Sequence, residues 1–150
     1  MVRTRRGEVE DVDDAADVYL RSRHSAVPDI PPLIHNDADV RSWFAEKVLP
    51  EQDLWLAEDP EGNVVGLMVL ADEWVEQLYV DPSHTGEGVG SELLAVAKSV
   101  RPGGLQLWTF ESNLRARRFY ERQGFTATER TDGSSNEERA PDIRYVWPGS

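Results

Sequence analysis

The amino-acid sequence predicts an α/β (α+β) fold, a single domain over residues 1–150 with a mixed central sheet in the order β-α-α-β-β-β-α-β-α-β-β. Three observations carry this. Residues 53–80 hold three apolar runs joined by short polar links, which reads as an antiparallel meander. Residues 74–94 run strand, glycine loop, helix, with Gly86, Gly88 and Gly90 at alternate positions. The next strand, 105–110, follows that helix, so it should lie parallel to strand 74–80 across a right-handed crossover.

Each element has a local reason. Residues 2–6 form a short first strand, and Asp11 to Asp14 offer caps and first-turn acids for a helix over 12–23. Val12, Ala15, Ala16, Tyr19 and Leu20 follow at helical spacing. Residues 25–35 contain three prolines and no periodicity, a loop. Asn36 or Asp37 caps a helix over about 37–48, with Val40, Trp43, Phe44 and Val48 as its apolar face and Pro50 as its stop. Strand 53–58, the turn Pro60-Glu61-Gly62-Asn63 and strand 64–70 make a hairpin, and Ala71-Asp72-Glu73 leads into strand 74–80. Asp81-Pro82 ends that strand, since proline has no N–H for a ladder. A helix over about 88–99 is stopped by Pro102-Gly103-Gly104. Asn113 caps a last helix, 113–123, closed by Gly124. Strand 125–131, a polar loop 132–140 and strand 143–147 complete the chain.

Composition excludes several functions. Formal net charge is −12, against a nucleic-acid partner, because phosphate backbones need a basic face. Such a surface suits cationic or amine substrates. Cysteine is absent, so disulfides, thiol nucleophiles and zinc–thiolate sites are excluded. His24 and His35 flank the proline loop without a third ligand, so no metal is expected. The charged first twenty residues carry no signal peptide, and no apolar run reaches membrane-span length. A cytoplasmic protein without a membrane partner is the expectation.

The glycine stretch points to phosphate. The first turn of a helix holds N–H groups without partners and the positive end of its dipole. Glycines let a ligand come close to the backbone, and together these features bind phosphate. The mononucleotide loop needs a lysine after its last glycine, which this chain lacks. The dinucleotide fingerprint matches at Gly86 and Gly88, with Glu111 about where a ribose-binding acid would sit, but its last position is Ser91. That fingerprint also belongs early in a run of parallel βαβ units, whereas a meander comes first here.

Three segments together resemble a known family. Leu78-Tyr79-Val80-Asp81-Pro82, the run from Thr85 to Leu94, and the run from Asn113 to Phe125 are similar to the motifs of the GNAT superfamily of acyl-CoA-dependent N-acyltransferases. The element order matches the GNAT fold, and the likeness covers nearly the whole chain. The resemblance implies acetyl-CoA as co-substrate. It implies that Leu78 and Val80, with Tyr79 between them, pair through their backbone with the pantetheine arm. The pyrophosphate would take N–H groups from Thr85, Gly86, Glu87, Gly88, Val89 and Gly90 and from the helix start at Ser91. Asn113 would contact the cofactor, and Tyr120 would lie near its sulfur. GNAT domains often form homodimers, although no exposed apolar stripe in this sequence marks one. Two positions depart from the family: Thr85 where glutamine or arginine is frequent, and Glu87 where a basic residue is frequent. Glu87 near a pyrophosphate costs about 1 kcal/mol of repulsion. Backbone amides do not depend on these side chains, so the loop assignment stands.

The reaction implied is direct attack of a primary amine, of a small molecule or a peptide, on the thioester. An ammonium ion must first lose a proton, and the thiolate that leaves benefits from a donor. Tyr120, protonated at neutral pH, is the general acid. Glu76, two residues before Leu78 on the same strand, is the candidate base, with Glu111 at a strand end as its competitor. A backbone N–H of strand 78–80 could steady the tetrahedral oxyanion. Ser91 starts a helix with no histidine nearby, so no serine nucleophile is indicated. The acceptor pocket should come from the first two helices and their loop, near Arg21, His24, Trp43 and the prolines of 28–32. The alternatives are a non-catalytic acyl-CoA-binding module and a dinucleotide-binding domain.

Overall fold

In the computed structural model, which describes residues 1–150, seven strands form one sheet in the order β1-β2-β3-β4-β5-β7-β6. The strands are β1 (Arg3–Arg6), β2 (Asp53–Glu58), β3 (Val64–Ala71), β4 (Trp74–Val80), β5 (Leu105–Phe110), β6 (Thr126–Thr131) and β7 (Asp142–Trp147). The helices are α1 (Val12–Ser25), α2 (Asp37–Trp43), α3 (Val89–Val100) and α4 (Leu114–Arg122). No helix is long and apolar enough to cross a membrane.

β3 reads as an unbroken apolar run because helices cover both of its faces. Val65, Met68 and Leu70 point into one core with Val89, Leu93, Leu94 and Ala97 of α3. Leu67 and Val69 point into the other, with Ala15, Ala16 and Tyr19 of α1 and Val40 and Phe44 of the second helix. Gly66 fixes how closely α3 approaches: a Cβ there would lie 2.7 Å from the Val89 side chain.

Two local expectations are corrected. Asp11 does not cap α1 with its side chain. Its carboxylate takes both Arg5 Nη groups at 2.8 Å and the Glu8 N–H at 2.8 Å, because a buried carboxylate gains more from a guanidinium than from a second N–H. The second helix runs past Pro50. From α2 it continues through a wide turn, Phe44–Val48, into a last turn, Leu49–Glu51. The Leu49 N–H reaches back five residues to Phe44 O. Widening there eases the clash between the proline ring and the preceding turn.

The functional consequence lies between β4 and β5. β2, β3 and β4 pair antiparallel, as the meander requires. β4 and β5 are parallel, but only Trp74 and Gln106 pair, beside a bond from the Gln106 N–H to Glu73 O at 2.9 Å. Beyond that point the strands separate. Val69 faces Gln77 and Leu70 faces Val75, so Glu76 is an extra residue, a β-bulge. A bulge bends and twists its strand, and here it coincides with the point where β4 leaves β5. With one parallel pair in the sheet, the doubly wound architecture of a dinucleotide-binding domain is excluded.

Candidate active site

The gap between β4 and β5 is a cleft of about 260 Å³. One wall is β4 from Val75 to Tyr79, the other is β5 from Leu107 to Phe110, and Asn113, Ala116 and Tyr120 of the α4 region close one side. The register sets what β4 presents. The Asp81 N–H bonds Val65 O at 2.8 Å, which makes Tyr79–Leu67 the mutually bonded pair and turns the main-chain groups of Leu78 and Val80 away from β3. Ser22 Oγ donates to the Val80 carbonyl at 2.6 Å, so Val80 keeps only its N–H for another partner. The side chains of Leu78 and Val80 pack on the α3 side of the sheet, and that of Tyr79 on the α1 side.

Below the cleft, Asp81 folds the chain into the glycine loop. Its carboxylate accepts from the Ser83 N–H at 3.1 Å, from Ser83 Oγ at 2.8 Å and from Arg21 Nε at 2.8 Å. Burial pushes its pKa up, but these hydrogen bonds outweigh it and hold the group below the ordinary carboxylate range. Arg21 thus anchors the loop rather than an acceptor pocket.

Gly86 and Gly88 have φ of 81° and 84°, and nothing stands within 4 Å of where a Cβ on either would be. The first helical bond of α3 is Glu92 N–H to Gly88 O, and the N–H groups from Thr85 to Ser91 have no acceptor in the protein. Seven successive free donors at a helix start, under open space, are a fit for an anionic diphosphate. The side chains turn elsewhere. Thr85 Oγ1 donates to Pro82 O at 3.3 Å, Glu87 Oε1 lies 3.1 Å from His84 Nδ1, and Ser91 Oγ accepts from Gln123 Nε2 at 3.1 Å. Ser91 keeps its N–H, and its hydroxyl proton, without an acceptor in the protein. Val89 is buried under the loop, and Gly90 sits against Phe119, whose ring would be 3.3 Å from an added Cβ.

Asn113 caps α4, its Oδ1 accepting the Ala116 N–H at 3.2 Å, and its amide nitrogen stays free at the cleft. Tyr120 is 8% exposed, with its ring against Phe119, Phe125 and Tyr145 at centroid distances of 5.2, 5.7 and 6.3 Å. The residue lines the cleft, and its hydroxyl makes no hydrogen bond in the protein. Burial, then the nearby Tyr79 oxygen, push its pKa well above the usual tyrosine value, so it is a proton donor at neutral pH. Glu76, at the bulge, is exposed, unpaired and lines the same cleft. Glu111 is 3.9 Å from Arg130 and does not line it.

The acceptor side differs from the sequence reading. Of the proline loop only Ile30 lines the cleft; the rest of that rim is Asn136, Glu138 and Asp142. No pattern in the polar loop 132–140 pointed there, because its position depends on the β6–β7 pairing. His24 joins no cluster, His35 pairs with Glu137 at 3.1 Å, and Trp43 packs on Tyr19 and Phe44. Arg23, also unforeseen, is 5% exposed and lies 3.8 Å from Glu138; Nη1 donates to Tyr19 Oη and Nη2 to Pro31 O, both at 3.3 Å. It ties α1 to both loops beside the cleft. Burial pushes the Tyr19 hydroxyl up to about 12.

Comparison with known proteins accords with this geometry. A family model described as an acetyltransferase (GNAT) domain matches residues 50–127. The chain is 33% identical over 100 residues to peptidyl-lysine N-acetyltransferase YjaB of Salmonella typhimurium, covering 67% of this chain and 68% of that protein. The solution structure of apo-form YjaB from Escherichia coli superposes with a TM-score of 0.76 at 25% identity, over 100% of this chain and 99% of that one. The PaiA N-acetyltransferase of Thermoplasma acidophilum, solved in complex with coenzyme A, shares the fold with a TM-score of 0.74 at 20% identity, over 99% of each chain.

Proposed function

Since the chain belongs to the GNAT acetyltransferase family, enzymes that use acetyl-CoA, we propose that it transfers an acetyl group to the side-chain amine of a lysine in a peptide or protein, by direct attack and with Tyr120 as general acid. One observation carries the reading: Tyr120 and Glu76, whose hydroxyl and carboxylate have no partner in the protein, line one cleft, beside the free main-chain groups of β4. The names of the similar YjaB proteins support a lysine acceptor, and so does an acidic rim of Glu76, Glu138 and Asp142 that attracts an ammonium ion.

The chain's groups then divide the work. Acetyl-CoA supplies the thioester carbonyl as electrophile. The free N–H groups from Thr85 to Ser91 hold its diphosphate, and the outward main-chain groups of Leu78 and the Val80 N–H align its arm along β4 as an added strand would. Asn113 contributes its free amide. Glu76, directly or through water, takes the proton of the incoming ammonium, leaving the lone pair that forms the C–N bond. A β4 N–H steadies the developing oxyanion. As the C–S bond breaks, the Tyr120 hydroxyl gives its proton to the sulfur, and the second proton of the attacking nitrogen returns through water to the phenolate, while the proton held by Glu76 passes to solvent.

The test is Tyr120→Phe, assayed with acetyl-CoA and a lysine peptide. Turnover should fall about 100-fold or more, with acetyl-CoA affinity unchanged within about twofold. Unchanged turnover would make Tyr120 a packing residue and remove the acid from the mechanism.

A further inference from the structure

The glycine loop offers dipoles but no full positive charge. Thr85 is neutral, and Glu87 is an acid turned to His84. Coenzyme A carries a diphosphate and, one ribose away, a 3′-phosphate monoester. In a chain of net charge −12, that negative charge needs a local counterweight.

The structure leaves one in place. Of the 16 lysines and arginines, all but Lys47, Arg115, Arg118 and Arg122 make a hydrogen bond or ion pair within the protein. Three of those four lie on α4, exposed, at positions i, i+3 and i+7. At helical spacing they stand about 40°, 100° and 60° to one side of Phe119, while Tyr120 stands about 100° to the other side, in the core. Phe119 is the residue that touches Gly90 at the start of α3. The stripe therefore begins where the glycine loop ends, on the flank away from the cleft.

No ion pair in the folded chain takes up this stripe, and Glu121 of the same helix already accepts from Tyr145 Oη at 2.8 Å. Arg115 lies in the first turn of α4, where the dipole disfavours a cation and no acid is present. Arg115–Arg118 and Arg118–Arg122 are like charges at i,i+3 and i,i+4, which repel. The 28 acidic residues of the chain include no partner for any of the three.

We infer that Arg115, Arg118 and Arg122 form the site for the 3′-phosphate monoester of acetyl-CoA, standing in for the cation that the glycine loop lacks. This rests on the reading of the loop and cleft as the acetyl-CoA site. It implies that the protein separates coenzyme A from its 3′-dephospho form.

The experiment is calorimetry of coenzyme A and of 3′-dephospho-coenzyme A against the full chain and against Arg115→Gln/Arg118→Gln/Arg122→Gln. Coenzyme A should bind the native chain about tenfold tighter or more, as for a charge-assisted contact. In the triple variant the two ligands should agree within about twofold, with 3′-dephospho-coenzyme A bound as by the native chain. Adenosine 3′,5′-bisphosphate should compete on the native chain and not on the variant. The charge-keeping variant Arg115→Lys/Arg118→Lys/Arg122→Lys should retain a preference, which guards against a folding defect. Equal binding of both ligands by the native chain overturns the inference and leaves the proposed function standing. Equal loss of both in the triple variant also overturns it, since the stripe would then act on the diphosphate. If the native chain binds neither ligand, the proposed function falls with it.

Discussion

Gly88 and Gly62 form a matched pair that isolates what the glycine loop does. Both hold left-handed φ, 84° and 88°, and both have open space within 4 Å of an added Cβ. Gly62 lies in the turn between β2 and β3, and Gly88 is the residue before α3. Alanine in that conformation costs about 1–2 kcal/mol, and its smaller freedom in the unfolded chain returns about half of that. Gly88→Ala and Gly62→Ala should each lose about 1 kcal/mol, a melting shift of about 2–4 °C for a chain of this size. Binding should separate them. The methyl at position 88 enters the space onto which the free N–H groups from Thr85 to Ser91 open. Hydrogen bonds to charged groups are worth about 1.5–3 kcal/mol each, so displacing the diphosphate enough to lose most of one costs about tenfold in affinity. Calorimetry with acetyl-CoA should therefore show Gly88→Ala weakened about tenfold or more and Gly62→Ala unchanged within about twofold. Equal affinities, with equal melting shifts, would refute close backbone approach at Gly88 as the basis of binding.

Further outcomes follow from the same geometry. Glu76→Gln should lower turnover about tenfold or more, with acetyl-CoA affinity unchanged; turnover equal to the native chain's would point to water alone as the base. Glu87→Gln should raise acetyl-CoA affinity by a few-fold, since it removes repulsion of about 1 kcal/mol, and weaker binding would show that the carboxylate helps shape the loop. Asp81→Asn should destabilise by about 1–3 kcal/mol in urea titrations near neutral pH. Because the folded Asp81 pKa is depressed, the stability that it contributes is present above the unfolded value of about 3.9 and fades as pH falls through the folded pKa. The gap between native and variant should accordingly close below about pH 4, and a gap that persists there would mean that the carboxylate's charge is not what matters.

What was legible in the chain is what local physics decides. The strand, glycine loop and helix around residues 74–94 have a spacing that few conformations satisfy, and the structure places them as read. Tyr120 was assigned from its position in a motif; its unpaired hydroxyl in the cleft was a matter of packing. The far rim of the cleft was not legible, because Asn136, Glu138 and Asp142 reach it only through the pairing of β6 with β7, an assembly of distant residues. Arg21 and Arg23 show the same limit at close range. They lie two residues apart on α1, yet Arg21 reaches Asp81 under the glycine loop and Arg23 reaches Glu138 beside the cleft. Helical spacing turns such residues about 200° apart, so α1 braces the glycine loop with one arginine and the rim of the cleft with the other. Substituting either one should therefore disturb its own half of the reaction, acetyl-CoA affinity for Arg21 and acceptor KM for Arg23. A variant at Arg23 that weakened acetyl-CoA binding and left acceptor KM alone would break this division.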